Sequence, residues 1–219
     1  MTNQDKIFNS FEGDKWFDRN KGHLSLKDDM ALLLIEMYKL KPKRVLEIGA
    51  CNGYRLSEIN KRYNSKVFAV EPSIEAIKDG KKKWPFINFE RAAIAEMQQK
   101  EQFDLVIVNS VLHWVDRKNL LESVSKIDRV TKNNGLLILG DFQTPIAIKR
   151  KYKHIEDLEV FTYKLNYKNI FLATGFYKEV AALSRDHDTK FLTTKTKLEN
   201  FFSVSLLKKE DLYIKQEDQ

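Results

Sequence analysis

The sequence predicts a doubly wound α/β fold: a mostly parallel seven-stranded sheet with helices on both faces and an antiparallel C-terminal hairpin. Three observations predict it. Short apolar runs recur at Arg44–Ile48 and at residues 67–70, 86–89, 103–108 and 136–139. Several of them lack the polar alternation of a half-exposed strand, which is how strands buried on both faces read. Stretches long enough for crossover helices separate these runs, and strands alternating with helices imply a parallel sheet covered on both sides. After Leu139 the texture changes, and residues 176–185 and 199–208 read as two further strands in antiparallel pairing.

Each element follows in turn. Ahead of the first strand, Leu26, Met30, Leu33, Leu34, Met37 and Leu40 keep helical spacing, and Ser25 with Asp28 resembles a capping box. A second helix is expected over Tyr54–Tyr63, after a turn rich in small residues. Residues 119–130 place Leu120, Val124, Ile127 and Val130 on one helical face, and Asn133-Asn134-Gly135 then supplies a stop. Residues 141–165 are rich in aromatic and basic side chains and have no clear period, while the tail from Glu210 is polar and expected to fray. With no repeats or Pro/Gly/Ser-rich linkers, residues 1–219 read as one domain, with an N-terminal helical cap at 1–42 and an insertion at 141–167.

Composition narrows the class. The 219 residues are 42% hydrophobic and 11% aromatic, enough for a substantial core and against disorder of the whole chain. No stretch approaches the ~18 apolar residues of a membrane helix, and the first residues lack a basic region followed by an apolar one. Cys51 stands alone, so no intrachain disulfide or cysteine-rich zinc site is available, and a reducing, cytoplasmic setting is expected. The net charge of +7 is spread along the chain; its densest run, Lys81 to Lys83, reads as a solvated helix end. Nucleic acid is therefore not the favoured partner, and no association with a membrane is expected.

The most informative segment is Val45-Leu46-Glu47-Ile48-Gly49-Ala50-Cys51-Asn52-Gly53, a buried strand running into a tight turn with a helix behind it. In open α/β sheets ligands bind beyond the carboxyl ends of strands, and small residues there let a ligand approach the backbone. A dinucleotide turn wants G-x-G-x-x-G, and registered on Gly49 the chain offers Gly49, Cys51 and Tyr54. An E-x-G-x-G-x-G pattern fails only at Cys51, which is still small. No Gly-Lys-Ser/Thr follows, so a phosphate loop is excluded. The second strand ends in Val70-Glu71-Pro72-Ser73, and Glu71 lies 18 residues beyond Gly53, near the ~20 expected for an acid that accepts both ribose hydroxyls. An acid so placed can instead cap the following helix, a role Ser73 can share. No HExxH spacing and no Gly-x-Ser-x-Gly elbow occurs, which removes the usual metalloprotease and hydrolase readings.

Over residues 43–141 the chain resembles the class I S-adenosylmethionine-dependent methyltransferases, a Rossmann-like family. The resemblance is carried by the Glu47-to-Gly53 loop, Glu71, Glu90-Arg91-Ala92-Ala93, and the run from Phe103 to Asn109 leading into Val111-Leu112-His113-Trp114. The departure is Cys51, where glycine is commonest. The resemblance implies S-adenosyl-L-methionine as cofactor. It implies that Glu47 organises the loop and faces the cofactor's amino group, and that Gly49, Ala50 and Gly53 admit the methionine and ribose portions. Glu71 would hold the ribose hydroxyls, Pro72 or Ser73 would sit beside the adenine, Ala92 and Ala93 would line the adenine end, and Asn109 would lie near the sulfonium.

For a hydroxyl acceptor a general base helps, and His113 is the candidate, with Trp114 as a wall of the pocket. Two flanks are expected to define the acceptor: residues 11–20, with Trp16, Phe17 and Arg19, and residues 141–167, with Tyr152 and His154 among their aromatic and basic side chains. Aromatics interleaved with cations suit a sugar ring, a phosphate-bearing ligand or an unpaired base. The W-F-x-R-N stretch ending at Asn20 and the D-F-x-x-P stretch starting at Asp141 are loosely similar to bacterial methyltransferases of sugars and surface polysaccharides. The expected acceptor is a small polar molecule, sugar-like, methylated on oxygen. The alternatives are an RNA or protein methyltransferase and a partner protein that binds the cofactor without catalysis.

Overall fold

The computed structural model describes residues 4–191 and 196–213. The chain opens with α1 (Gln4–Ile7), a π-helical turn (Phe8–Glu12), α2 (Gly13–Asn20) and α3 (Met30–Met37). The alternating body follows: β1 (Arg44–Ile48), α4 (Tyr54–Tyr63), β2 (Lys66–Glu71), α5 (Ile74–Lys83), β3 (Asn88–Arg91), β4 (Phe103–Asn109), α6 (Leu120–Val130) and β5 (Thr131–Phe142). Then come β6 (Ile148–Lys151), β7 (Phe161–Lys164), α7 (Lys168–Leu172), β8 (Tyr177–Asp186) and β9 (Phe201–Lys209). Seven strands form one sheet in the order β3-β2-β1-β4-β5-β9-β8, while β6 and β7 pair separately. The strands from β3 to β5 are mutually parallel, and β9 runs antiparallel to both β5 and β8.

The two-residue strand period divides the core between the faces. Leu46, Ile48, Val106, Val108, Leu137 and Leu139 pack with Val124, Ile127 and Val130 of α6. Val45, Val67, Ala69, Leu105, Ile107 and Ile138 pack with Leu34 and Ile35 of α3 and Leu56 and Ile59 of α4. A fully buried aliphatic side chain contributes roughly 1.5–3 kcal/mol, so both helical layers are secured mainly by this sheet. Among the described residues no helix is long and apolar enough to cross a membrane.

The seven-stranded sheet and closing hairpin agree with the sequence reading, and the differences have local causes. The third strand begins two residues later than expected, because Trp84 to Ile87 form a turn closed by Ile87 N–H donating to the Trp84 carbonyl (3.1 Å). Pro85 lies in that turn and has no N–H for a ladder. The first amphipathic helix starts at Met30, capped by Asp29 rather than Ser25. The Asp29 carboxylate accepts from Ala31 N and Leu32 N, whereas Ser25 Oγ accepts only from Lys27 N. Asn133-Asn134-Gly135 does not end α6. The helix passes into β5 at Thr131, which pairs with Phe103, and the next paired residue is Leu136 opposite Leu105. The asparagines and glycine thus form an irregularity inside the strand, with Asn134 at φ 62°.

The segment without a period folds against the N-terminus. Tyr152, Ile155 and Val160 form a small core with Ile7, packed by Phe8, Phe11 and Trp114. The Gln4 side-chain amide donates to the Phe161 carbonyl (2.8 Å) and accepts from Phe161 N–H (2.9 Å), extending β7 as a further strand would.

Gly80 in α5 shows how closely the helix meets the β1 turn. A Cβ there would lie 2.4 Å from the Asn52 carbonyl oxygen and 2.6 Å from the Phe89 ring. Alanine in place of glycine adds up to about 1 kcal/mol of helix propensity, but overpacking costs typically 1–3 kcal/mol. Because the nearer neighbour is backbone, Gly80→Ala is expected to lower stability by about 1–2 kcal/mol in urea unfolding. A stabilised variant would refute this packing.

Candidate active site

The turn after β1 is built from left-handed residues: Gly49 at φ 71°, Cys51 at 54° and Gly53 at 82°. Gly49 tolerates this conformation and also a close neighbour, since a Cβ would lie 2.4 Å from Val111 Cγ2. Cys51 holds the same conformation with a side chain, at a cost of roughly 1–2 kcal/mol. Its amide is engaged: Cys51 N–H donates to Glu71 Oε2 (2.8 Å), while Ser73 N–H donates to Glu71 Oε1 (2.9 Å). The Glu71 carboxylate is therefore fixed between two backbone amides at the carboxyl edge of the sheet. Burial pushes its pKa up to about 7, against the lowering effect of both amides.

A buried cation lies behind this turn. Arg55 binds Glu47 Oε1, and its Nε donates to Asp29 Oδ2 (2.9 Å). Asp29 also caps α3, so one guanidinium ties together β1, α3 and α4. Burial raises the Glu47 pKa to about 7, with Arg55 pulling the other way, and Glu47 Oε2 has no partner among the described residues. We take the pair as ionised, because the carboxylate oxygen and guanidinium are in direct contact and Arg55 cannot give up its proton.

Above these groups is a cavity of about 330 Å³, within the size range of small-molecule sites. Of the residues the sequence pointed to, Gly49, Glu71, Pro72, Ala92, Ala93, Asn109, Trp16 and Trp114 line it. Asn109 Oδ1 is buried with no partner among the described residues. Others lie elsewhere. Glu47 and Ala50 are buried behind the wall, and Gly53 serves packing, since a Cβ would meet Ile87 Cδ1 at 2.7 Å. Ser73 caps α5, its Oγ accepting from Ala76 N–H (3.0 Å) and donating to Asp14 (2.6 Å).

His113 also lies behind the wall, although the sequence reading set it facing the acceptor. Leu112, His113 and Trp114 form a 3₁₀ turn, in which successive side chains point about 120° apart. Leu112 enters the core, Trp114 lines the cavity, and His113, 5% exposed, turns to Asp141. Asp141 Oδ1 lies 2.9 Å from His113 Nδ1, and Oδ2 accepts from His113 N–H (3.2 Å). That arrangement assigns the proton to Nδ1.

Arg19 and Tyr152, both expected on the acceptor side, meet each other instead of lining the cavity. Arg19 donates to Tyr152 Oη (2.8 Å) and Glu12 Oε1 (2.5 Å), and Tyr152 Oη also donates to Glu12 (2.7 Å). His154 packs on the Tyr152 ring at 5.1 Å, outside the cavity. Burial pushes the Tyr152 phenol up. Sequence reasoning missed Asp141 as the partner of His113, Arg55 as the partner of Glu47, and Arg185 on the cavity wall. Asp141 had a signal, the strand-end acid opening D-F-x-x-P, whereas Arg55 and Arg185 had none.

Comparison with known proteins bears on the domain and the fold. Residues 46–139 match the family described as a methyltransferase domain. A malonyl-[acyl-carrier protein] O-methyltransferase of Halorhodospira halophila is 26% identical over 119 residues, which is 52% of this chain and 40% of that protein. The match thus spans about two fifths of the length of this curated relative. Among solved structures, the chain resembles the 1,6-didemethyltoxoflavin-N1-methyltransferase of Burkholderia thailandensis, crystallised with 1,6-didemethyltoxoflavin and S-adenosylhomocysteine. That likeness has a TM-score of 0.72 at 13% identity and covers 94% of this chain and 88% of that one. It also resembles the N-methyltransferase NodS of Bradyrhizobium japonicum in complex with S-adenosylhomocysteine, with a TM-score of 0.62 at 15% identity, covering 95% and 99%. The fold is that of the class I methyltransferases.

The buried cation yields a direct test. Removing one partner of a buried ion pair costs about 3–5 kcal/mol, because the remaining charge is left uncompensated. Arg55→Met, which strands Glu47 and Asp29, is expected to lose that much stability in denaturant unfolding. A loss below about 1 kcal/mol would show that Arg55 does not hold the turn.

Proposed function

We propose that this chain, built on the class I methyltransferase fold, transfers the methyl group of S-adenosyl-L-methionine to an oxygen of a small polar acceptor, a sugar or related metabolite. The observation that carries this reading is the Glu71 carboxylate, held by Cys51 N–H and Ser73 N–H on the cavity wall one strand over from the Gly49 turn. An ionised carboxylate has about four acceptor positions, so two backbone donors leave room for the two hydroxyls of a ribose. Ala92 and Ala93 bound the same end of the cavity with small apolar surface suited to a base. Asn109 lines the cavity at the tip of β4, its buried Oδ1 unpaired among the described residues, and Gly49 keeps the turn free of side chain. These features fit an adenosyl thioether or its methylated parent.

When bound, that cofactor supplies a methyl carbon already activated for displacement. What remains for the chain is placement: an acceptor lone pair must be held about 3 Å from that carbon and in line with the departing sulfur. Trp114 and Trp16 bound the cavity and limit access of water, Trp114 being braced by Tyr152 at 4.7 Å and Phe8 at 5.3 Å between ring centroids. His113 acts here as a positioning residue, anchoring the turn that carries Trp114 to Asp141. Oxygen is favoured as the methylated atom because the O-methyltransferase likeness lies in sequence, whereas the two N-methyltransferase likenesses lie in fold.

Incubating cell extracts with the protein and methyl-labelled cofactor, then identifying labelled products by mass spectrometry, tests the activity and reads the acceptor. Failure of S-adenosylhomocysteine to bind in calorimetry would sink the reading. Glu71 gives the pH dependence. A ribose diol donates to the ionised carboxylate, so binding is lost as Glu71 gains a proton below its pKa of about 7. Affinity for S-adenosylhomocysteine is expected to weaken about tenfold from pH 8 to pH 6, and Glu71→Gln should be weaker and flat over that interval. A wild-type profile that is also flat would remove Glu71 from the site. For His113, the expectation is that His113→Gln lowers kcat by less than about tenfold and raises the acceptor KM. A general base would cost 10²–10⁴-fold, and that result would move His113 into the reaction itself.

A further inference from the structure

Arg185 stands on the cavity wall without an ion-pair partner among the described residues, although Asp29 and Asp28 lie near enough to favour its charge. It lies near the carboxyl end of β8, opposite Phe202 of β9. Because β8 and β5 are both antiparallel to β9, β8 runs in the direction of the parallel strands, and its carboxyl end reaches the same sheet edge as β1, β2 and β4. Arg185 lines the cavity, and its Nε is buried with no hydrogen-bond partner among the described residues. None of the ion pairs among those residues includes it. Its guanidinium lies 5.4 Å from the centroid of the Phe202 ring, and Val204 and Met30 add further apolar wall. A buried guanidinium N–H without an acceptor is costly unless something else satisfies it.

The surrounding charges limit what that can be. Asp29 is engaged twice, by the amides it caps and by Arg55. Asp28 and Tyr54 also line the cavity, and neither bonds Arg185 among the described residues. Arg55 is committed to Glu47 and Asp29, and Lys190, although near enough to oppose the charge of Arg185, is not among the residues lining the cavity. Lys27 and Asp28, adjacent in the chain, also line the cavity and their formal charges offset each other, so the guanidinium of Arg185 suits a single negative charge better than a phosphate dianion. The planar two-donor edge of a guanidinium fits a carboxylate.

Position indicates which molecule bears that carboxylate. In the sheet order, β8 is three strands beyond β4, on the side away from β2 and Glu71. At about 4.8 Å per strand this separates the roots of Arg185 and Glu71 by roughly 24 Å. We propose that Arg185 anchors a carboxylate on the methyl acceptor, so that the acceptor is a small monoanionic acid whose carbon skeleton rests on Phe202, Val204 and Met30. This inference rests on the methyltransferase reading above and narrows its acceptor.

The test uses two matched pairs, benzoate with benzamide and glucuronate with glucose, titrated into the protein saturated with S-adenosylhomocysteine. The Arg185 Nε–H resonance is followed by NMR and the affinities by calorimetry. Both carboxylates are expected to shift that resonance and to bind at least tenfold more tightly than their neutral partners. Arg185→Met should erase the preference and Arg185→Lys should keep part of it, with S-adenosylhomocysteine affinity within twofold of wild type in both. Equal behaviour within the pairs would overturn the proposal. So would a tenfold loss of S-adenosylhomocysteine affinity in Arg185→Met, which would put the guanidinium on the cofactor's own carboxylate. If wild type does not bind S-adenosylhomocysteine at all, the methyltransferase reading fails, and the same titrations of the unloaded protein still decide the role of Arg185.

Discussion

The site depends on one hydrogen bond, from Cys51 N–H in the β1 turn to the carboxylate of Glu71 at the tip of β2. A bond to a charged group contributes about 1.5–3 kcal/mol, more than a neutral one, and here it carries the junction of the two strand ends beyond the bonds of Gly49 N–H (2.8 Å) and Ala50 N–H (3.3 Å) to the Val70 carbonyl. It requires the chain to leave β1 through left-handed conformations at residues 49, 51 and 53, which turn successive amides toward the sheet edge. Gly49 and Gly53 meet that requirement without a Cβ, and Cys51 meets it at some cost in strain. That departure from the expected glycine is thus tolerated because the cysteine amide, not its side chain, does the holding. The thiol is buried and its pKa is pushed up by that burial, so it is kept protonated beside the carboxylate.

Arg55 solves the complementary problem behind the turn. Glu47 points into the core from β1, and α3 needs an acid at its N-terminus; a single guanidinium compensates both carboxylates. The fit of α3 against the sheet and the position of the β1 turn are therefore coupled through one side chain. This is a different use of charge from that at Glu71, which among the described residues has no cation in contact and is held by two backbone amides. A carboxylate without a counter-ion keeps accepting capacity for a ligand, whereas Glu47, paired and enclosed, keeps the scaffold in register.

What the sequence revealed followed periodicity and local chemistry. The five parallel strands, the closing hairpin, the β1 turn and Glu71 were legible because each is encoded within a few neighbouring residues. The offset of β3 was not, since an apolar run at Phe86 and Ile87 looks like a strand while the turn at Pro85 delays the ladder. The direction of His113 was lost because a 3₁₀ turn changes side-chain bearing by 120° per residue, and nothing in Val111-Leu112-His113-Trp114 marks which one faces the cavity. Arg19 and Tyr152 were each singled out, but their contact joins residues 133 positions apart and removes both from the cavity surface into a brace between the N-terminus and the insertion.

That brace explains how the two halves of the cavity differ in nature. Around Glu71 the wall is made by strand tips and turns of the parallel sheet, whose geometry is set by backbone pairing. On the other side it is made by Trp16 from the N-terminal helices, Trp114 propped by Tyr152 from the insertion, and Arg185 and Phe202 from the hairpin. These elements meet through side chains: the Gln4 amide on β7, Glu12 between Arg19 and Tyr152, and the rings of Phe142 and Phe202 at 5.8 Å. Side-chain contacts can be exchanged without disturbing a β-ladder, so this half can be re-lined while the half around Glu71 stays fixed. Arg185 belongs to this half: it is set by the strand pairing of β8 with β9, yet its guanidinium meets the wall only through the Phe202 ring at 5.4 Å and has no ion-pair partner among the described residues.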